Sequence, residues 1–215
     1  MRSLWFGFLL LLAMLGSALT VERGLASTTS IDAVRGQATR EQKTVDHTPI
    51  DWSVGAVIPD FAFTDFNGQP RHLSEFRGKY LLLEFWGVWC KPCVAEIPNL
   101  KAAYEKYKSR GFEVLGMDYE PLEKGKDPIT ATKETLEMVK KFASEKGMTW
   151  TQATPESVKD IIEKRFQIRG FPRTILLDPQ GKVITRGVVY PEEPPPLQLR
   201  GEELMKTLEQ ILPAK

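Results

Sequence analysis

The sequence predicts an α/β sandwich around a mixed central sheet, and three observations carry that prediction. The segment "KYLLLEFW" (79–86) is a continuous apolar run of strand length, broken only by Glu84, as in a strand buried on both faces. Ile97, Leu100, Tyr104 and Tyr107 then recur at helical spacing, and "FEVLGMDY" (112–119) reads as the next strand, so a right-handed parallel crossover is implied. Further on, "RTILLD" (173–178) and "KVITRGVVY" (182–190) flank Pro179-Gln180-Gly181 and read as a hairpin, which adds antiparallel strands to the sheet.

Taken in order, the chain opens with Met-Arg, an apolar stretch from Leu4 to Leu15, and the small residues Gly16-Ser17-Ala18. That order describes a secretory signal, with cleavage expected after Ala18 or Ala26. The alternative is an uncleaved tether, since Leu4 to Val21 just reaches the roughly 17–25 residues of a membrane span. Residues 1–26 are thus a signal peptide or an N-terminal membrane anchor. Either reading exports the body of the protein to a periplasmic or other extracytoplasmic space. Residues 27–51 are rich in Thr, Ser, Arg, Gln and Glu and read as a flexible linker. The folded domain is expected over 52–213.

That domain starts with a hairpin: "DFAFTDF" alternates, Asn67-Gly68 turns, and "QPRHL" returns. The helix after residue 90 ends at Gly111, with Pro98 expected to bend it. Residues 120–129 hold Pro121, Gly125 and Pro128 and read as a loop. Leu136, Val139, Phe142 and Ala143 then mark an amphipathic helix that stops at Gly147. Thr154-Pro155 opens another helix, with Thr as cap and Pro in the first turn, carrying Val158, Ile161, Ile162 and Phe166. "PEEPPP" (191–196) is a stiff loop, and Leu204, Leu208, Ile211 and Leu212 make the last helix.

Lysine and arginine total 29 and aspartate and glutamate 28, with no basic tract, so nucleic acid is not an expected partner. Both cysteines, Cys90 and Cys93, lie in "FWGVWCKPC". As a staple they would close a tiny loop and stabilise weakly, because a short loop removes little entropy from the unfolded chain. As structural zinc ligands they would need two partners, and only His47 and His72 remain, one in the linker and one in the hairpin. No metal site is expected.

The chemistry favours a reacting pair. Cys90 falls at the end of a strand and the start of a helix, where unpaired N–H groups and the positive end of the dipole stabilise a thiolate. Lys91 adds a positive charge. Pro92 occupies the first turn, where its missing N–H costs nothing. Cys93, one turn on, lies within disulfide reach. Cys90 is then the exposed attacker and Cys93 the buried resolver. Glu84, six residues upstream in an apolar strand, is expected beneath the pair, exchanging a proton with Cys93; a solvent-facing strand end is the alternative. Glu96, three residues past Cys93, either tunes the thiols or covers the surface. Gly170-Phe171-Pro172 precedes a strand, where an X-Pro bond is a candidate for cis. A cis bond beside the cysteines would offer the Phe171 backbone to a partner's extended chain.

With these residues in place the sequence resembles the thioredoxin superfamily, above all the exported TlpA/ResA-like thiol-disulfide oxidoreductases, which include cytochrome c maturation reductants. The resemblance covers roughly residues 52–213 and rests on "LLLEFWGVWCKPCVAEIPNL" and "IRGFPRTILLDPQGKVI". It implies a thioredoxin-like three-layer sandwich, a mixed sheet with helices on both faces, an N-terminal β-hairpin extension and a helical insertion. It also implies an attacking Cys90, a resolving Cys93, a buried acid at Glu84, a functional acid at Glu96, a cis Pro172, and partner contacts at Trp89, Phe171 and Pro172. Lys91-Pro92 differs from the Gly-Pro of thioredoxin, so the potential does not carry over. Phe171 is bulky where many relatives have Thr, Val or Ile. Loops 120–129 and 191–200 are longer than usual and read as a lid or docking surface.

The expected function is dithiol-disulfide exchange with partner proteins outside the cytoplasm, without metal or organic cofactor, fed with electrons by a membrane thiol relay. Lys91 pushes toward an oxidant and an ionised Glu84 toward a reductant; the resemblance tips the balance to reductant. A peroxiredoxin-type peroxidase is a second reading. Those proteins carry Thr or Ser three positions before the reactive Cys, where this chain has Gly87. A redox-inactive thioredoxin-like binding module is the third.

Overall fold

A computed structural model describes residues 46–121, 127–187 and 199–213. The readings of the signal or anchor, of the linker up to residue 45, and of most of the two long loops fall outside them. Among the described residues, no helix is long and apolar enough to cross a membrane.

The hairpin forms as β1 (Ala62–Thr64) and β2 (Pro70–His72), antiparallel. Asp65 closes its turn by accepting the N–H groups of Asn67 and Gln69, and Gly68 takes the positive φ of 77° that the turn requires. Then come β3 (Tyr80–Trp86), α1 (Lys91–Tyr107), β4 (Phe112–Asp118) and α2 (Pro128–Lys146). They are followed by β5 (Thr151–Ala153), α3 (Pro155–Asp160), β6 (Arg173–Leu177), β7 (Val183–Gly187) and α4 (Gly201–Ile211). Strand order in the main sheet is β5-β4-β3-β6-β7. β3 is parallel to β4 and antiparallel to β6, which makes the sheet mixed.

The period of two along β3 builds the layers. Leu81, Leu83 and Phe85 pack with the hairpin residues Phe61 and Phe63 and with Val158 and Ile162. Leu82 and Trp86 pack on the opposite face with Ile97 and Leu100 of α1, Val139 of α2, and Leu204 and Leu208 of α4. Helices therefore cover both faces, and β3 is buried on both, as its unbroken apolar run predicts. Each such leucine or phenylalanine contributes about 2 kcal/mol of burial, against which the carboxyl of Glu84 is the exception in this strand.

The structure departs from expectation at several places. The linker reaches the domain before residue 52: Ile50 is buried, its N–H donates to the Arg165 carbonyl at 2.7 Å, and Asp46 pairs with Arg165 at 3.0 Å. One isolated apolar residue shows no periodicity, so composition alone hid this anchor. β5, three residues long, was too short to read as a strand; it pairs with β4. Thr154 stands at the N-cap of α3 without capping it, because its hydroxyl bonds to the Ser157 side chain at 3.0 Å. After α3 the chain makes one π-helical turn, Ile161–Arg165, before the loop to β6.

Candidate active site

The C-terminal end of β3 delivers the chain into the turn Gly87-Val88-Trp89, and Cys90 caps α1. The Cys90 N–H donates to the Gly87 carbonyl at 3.1 Å, and its sulfur accepts the Cys93 N–H at 3.3 Å. Cys90 and Cys93 are joined as a disulfide with a Cα separation of 5.2 Å. Pro92 lies in the first turn of the helix and Lys91 is exposed to solvent. The expected exposure of Cys90 is not found: it is 3% accessible and Cys93 0%. Bonded to Cys93, Cys90 lies in the same apolar cluster. The exposed aromatic of the motif is Trp89, at 49%.

Glu84 is 2% accessible and lies on the face of β3 shared with Leu82 and Trp86, the face covered by α1 and the cysteine pair. Its strand neighbour in β4 is Gly116, over which the Gln152 side chain lies; a Cβ at Gly116 would fall 1.9 Å from that side chain's oxygen. Glu84 Oε2 has no hydrogen-bond partner. Burial first, and then the charge of Glu96, push the Glu84 carboxyl up to about 8. The Trp150 indole N–H and the Arg200 charge oppose that rise. Of the two, the indole has the larger effect.

Glu96 is 7% accessible, so the surface reading for this residue is excluded. It accepts the Gly201 N–H at 2.6 Å and the Asn99 amide at 3.0 Å, and lies 3.7 Å from Arg200. Arg200 also donates to the Pro92 carbonyl at 2.9 Å. Glu96 and Arg200 thus tie the cysteine helix to the start of α4.

The Phe171–Pro172 peptide is cis, and Pro172 is buried. Phe171 meets Trp89 edge-on at 5.5 Å and stacks on Tyr119 at 5.2 Å. An aromatic platform of Trp89, Phe171 and Tyr119 therefore borders the pair. Tyr119 is fixed by a 2.6 Å bond from its hydroxyl to Glu163.

Sequence reading missed Asp118, the last residue of β4, Tyr119 and Glu120 just after it, and also Trp150 and Arg200. Asp118 is fully buried, and Glu120 is 8% accessible. Glu120 accepts the Val88 N–H at 2.6 Å, and the Tyr119 carbonyl accepts the Trp89 indole N–H at 2.8 Å. The signal available was the pair of acids in "MDYEP" just past a buried strand, where the chain must pass the cysteine loop. Gly87 has its own reason: a Cβ there would lie 2.6 Å from the Tyr119 carbonyl and 2.5 Å from the Trp89 indole nitrogen. No hydroxyl-bearing side chain fits at that position. Among the described residues, no group of His, Cys, Asp or Glu is arranged to hold a metal.

Residues 54–201 match the AhpC/TSA family. The chain is similar to the thiol-disulfide oxidoreductase ResA of Bacillus thuringiensis subsp. konkukian, 29% identical over 83% of this chain and 83% of that one. It is 34% identical to ResA of Geobacillus kaustophilus over 61% of this chain and 67% of that one. Among solved structures it resembles the thioredoxin domain of a thiol-disulfide oxidoreductase from Bacteroides vulgatus. That likeness has a TM-score of 0.57 at 29% identity and covers 75% of this chain and 99% of the other. It also resembles a thiol:disulfide interchange protein from Bacteroides sp., with a TM-score of 0.58 at 30% identity over 74% and 90%.

Proposed function

Because the chain belongs to the AhpC/TSA family and is a thiol-disulfide oxidoreductase with a thioredoxin-like fold, we propose that it reduces disulfides of partner proteins outside the cytoplasm. The observation that carries the reading is a cysteine pair at a helix start with a buried, proton-holding Glu84 on the same sheet face. The Cys90 thiolate attacks one sulfur of a partner disulfide, and the partner's other sulfur leaves as a thiolate. Cys93 then gives up its proton and attacks the Cys90 sulfur, releasing the partner as a dithiol and leaving the Cys90–Cys93 disulfide. Glu84, in its ionised form, receives the Cys93 proton, directly or through one water. A carboxyl held near 8 is matched to a thiol of about 8.5, so the proton moves with little driving force either way.

The resemblance to the exported TlpA/ResA-like proteins supports the direction. Lys91 is exposed, so solvent weakens its pull toward a Cys90 thiolate, and Glu84 holds its proton and adds no charge of either sign near neutral pH. A less stabilised thiolate gives up its electrons more readily. Trp89, Phe171 and Pro172 are the residues a partner chain touches. The apolar N-terminal stretch, a signal or a tether through residues 4–21, supports export. A membrane thiol relay then supplies the electrons, and cytochrome c maturation is one setting for such a reductant. The peroxidase reading fares worse, since Gly87 has no room for the activating hydroxyl.

The test is the reduction potential of the Cys90–Cys93 couple in the full chain, equilibrated against glutathione. A value below about −230 mV is expected. A value near −120 mV marks a disulfide-introducing oxidase and ends the reductant proposal.

A further inference from the structure

Four buried acids surround the cysteine loop: Glu84 serves the exchange, and Glu96 is tied to Arg200 and Gly201. Asp118 and Glu120 are left over. They flank Tyr119 in a short segment that grips the turn before Cys90 from one side. The Tyr119 N–H donates to the Trp86 carbonyl at 2.8 Å, and the Tyr119 carbonyl takes the Trp89 indole N–H at 2.8 Å. The Glu120 carboxylate takes the Val88 N–H at 2.6 Å, a charge-assisted bond to the backbone two residues before the thiol. The missing side chain at Gly87 lets the two segments approach this closely.

We propose that Glu120, with Asp118 beside it, is the positioning residue for the attacking thiol: its carboxylate on the Val88 N–H holds the 87–89 turn so that Cys90 sits at the start of α1. The thiolate then feels the free N–H groups and dipole of the helix. This rests on exchange at Cys90 and is independent of its direction.

Asp118 explains how a buried carboxylate survives here. It is register-paired with Trp86, on the β4 face shared with Val114, and neither of its oxygens has a well-formed hydrogen bond. Burial and the neighbouring charge of Glu120 hold its carboxyl well above the usual range. Burial raises Glu120 as well, but the Val88 N–H opposes that. One proton on Asp118 leaves the pair a single negative charge, carried where the N–H is. The other charged groups facing the pair are few. Glu84 acts on Asp118 from β3. Glu156, Lys159 and Asp160 of α3 share with Glu120 the wall of a groove of about 620 Å³. Through that groove Glu120 reaches solvent.

The test compares Glu120→Ala and Glu120→Gln in the reduced full chain, reading Cys90 alkylation by iodoacetamide against pH. Ala removes the acceptor, whereas Gln keeps an amide oxygen for Val88. In Ala the thiol midpoint should rise and alkylation below that midpoint should fall about tenfold, the scale of one lost charge-assisted bond. Gln should restore the rate to within about threefold. An Ala variant as fast as wild type, or a Gln variant as slow as Ala, overturns the proposal. If Ala does not fold, the Val88 amide of the 15N-labelled wild type decides. It must resonate downfield and move with pH in step with the alkylation rate; a Val88 amide that stays fixed while Cys90 titrates overturns the proposal. Wild-type exchange activity is read separately, so a failure here is distinct from a failure of the reductase reading.

Discussion

Replacing Glu84 by Gln should make the protein more stable at alkaline pH and leave it nearly unchanged in acid. Glu84 titrates near 4.5 in an unfolded chain and near 8 in the fold, because burial and the Glu96 charge disfavour its ionised form. Below 4.5 both states hold the proton and the residue costs nothing through ionisation. Between 4.5 and 8 the unfolded chain gives up the proton while the native state keeps it, so stability falls as pH rises. Above 8 the full cost is present. At about 1.4 kcal/mol per pH unit that cost is about 5 kcal/mol, and about 3 kcal/mol is already lost at pH 7. Gln matches the protonated form in shape and does not titrate. Guanidinium unfolding of the oxidised protein, wild type against Glu84→Gln, should therefore give equal midpoints at pH 4.5. At pH 9 the variant should be favoured by several kcal/mol, or about 10 °C or more in Tm for a domain of this size. Asp118, whose carboxyl the Glu84 charge also raises, adds to the gap in the same direction, because its ionisation meets no Glu84 charge in the variant. A gap that is the same at both pH values would refute the reasoning, since only the ionisation of Glu84 distinguishes them.

Two further predictions follow from the same neighbourhood. Glu96→Gln keeps an acceptor for the Gly201 N–H but removes the charge that Arg200 faces. Stability should fall by about 1–2 kcal/mol, and the Glu84 midpoint, followed by its infrared carboxyl band, should move below 8, because Glu96 is one of its two raising causes. Gly87→Ala places a Cβ 2.6 Å from the Tyr119 carbonyl and 2.5 Å from the Trp89 nitrogen, so unfolding should show a loss of about 1–3 kcal/mol, with the Trp89 fluorescence changed; a neutral Ala would mean the close approach carries no constraint.

The division between what the chain reveals in one dimension and in three follows the range of the interactions. β3, α1 and the hairpins at 62–72 and 173–187 were legible because each rests on local periodicity and turn chemistry within a few residues. The cysteine pair was legible for the same reason: helix start, proline in the first turn and spacing of three are all local. Even the burial of Glu84 could be read, since one acid in a strand apolar on both faces has nowhere else to go. Ile50, with no pattern around it, gave no such sign, and β5 is too short to show one.

What only the tertiary structure decided is the company these residues keep. Glu96 reads from sequence as a helix residue one turn past Cys93. Its partners Arg200 and Gly201 lie more than a hundred residues along the chain, and no spacing rule reaches them. Asp118 and Glu120 look like ordinary polar residues at a strand end until the parallel pairing of β3 and β4 brings that end against the turn before Cys90. Cys90, which local rules left exposed, is buried in an apolar cluster with Cys93 and residues of distant segments. By itself, then, the sequence determined the reacting atoms and the frame that presents them, because helix starts, strand periods and turns are short-range. The ionisation states around those atoms depend on desolvation and on charges from distant segments, and those exist only once the chain has closed on itself.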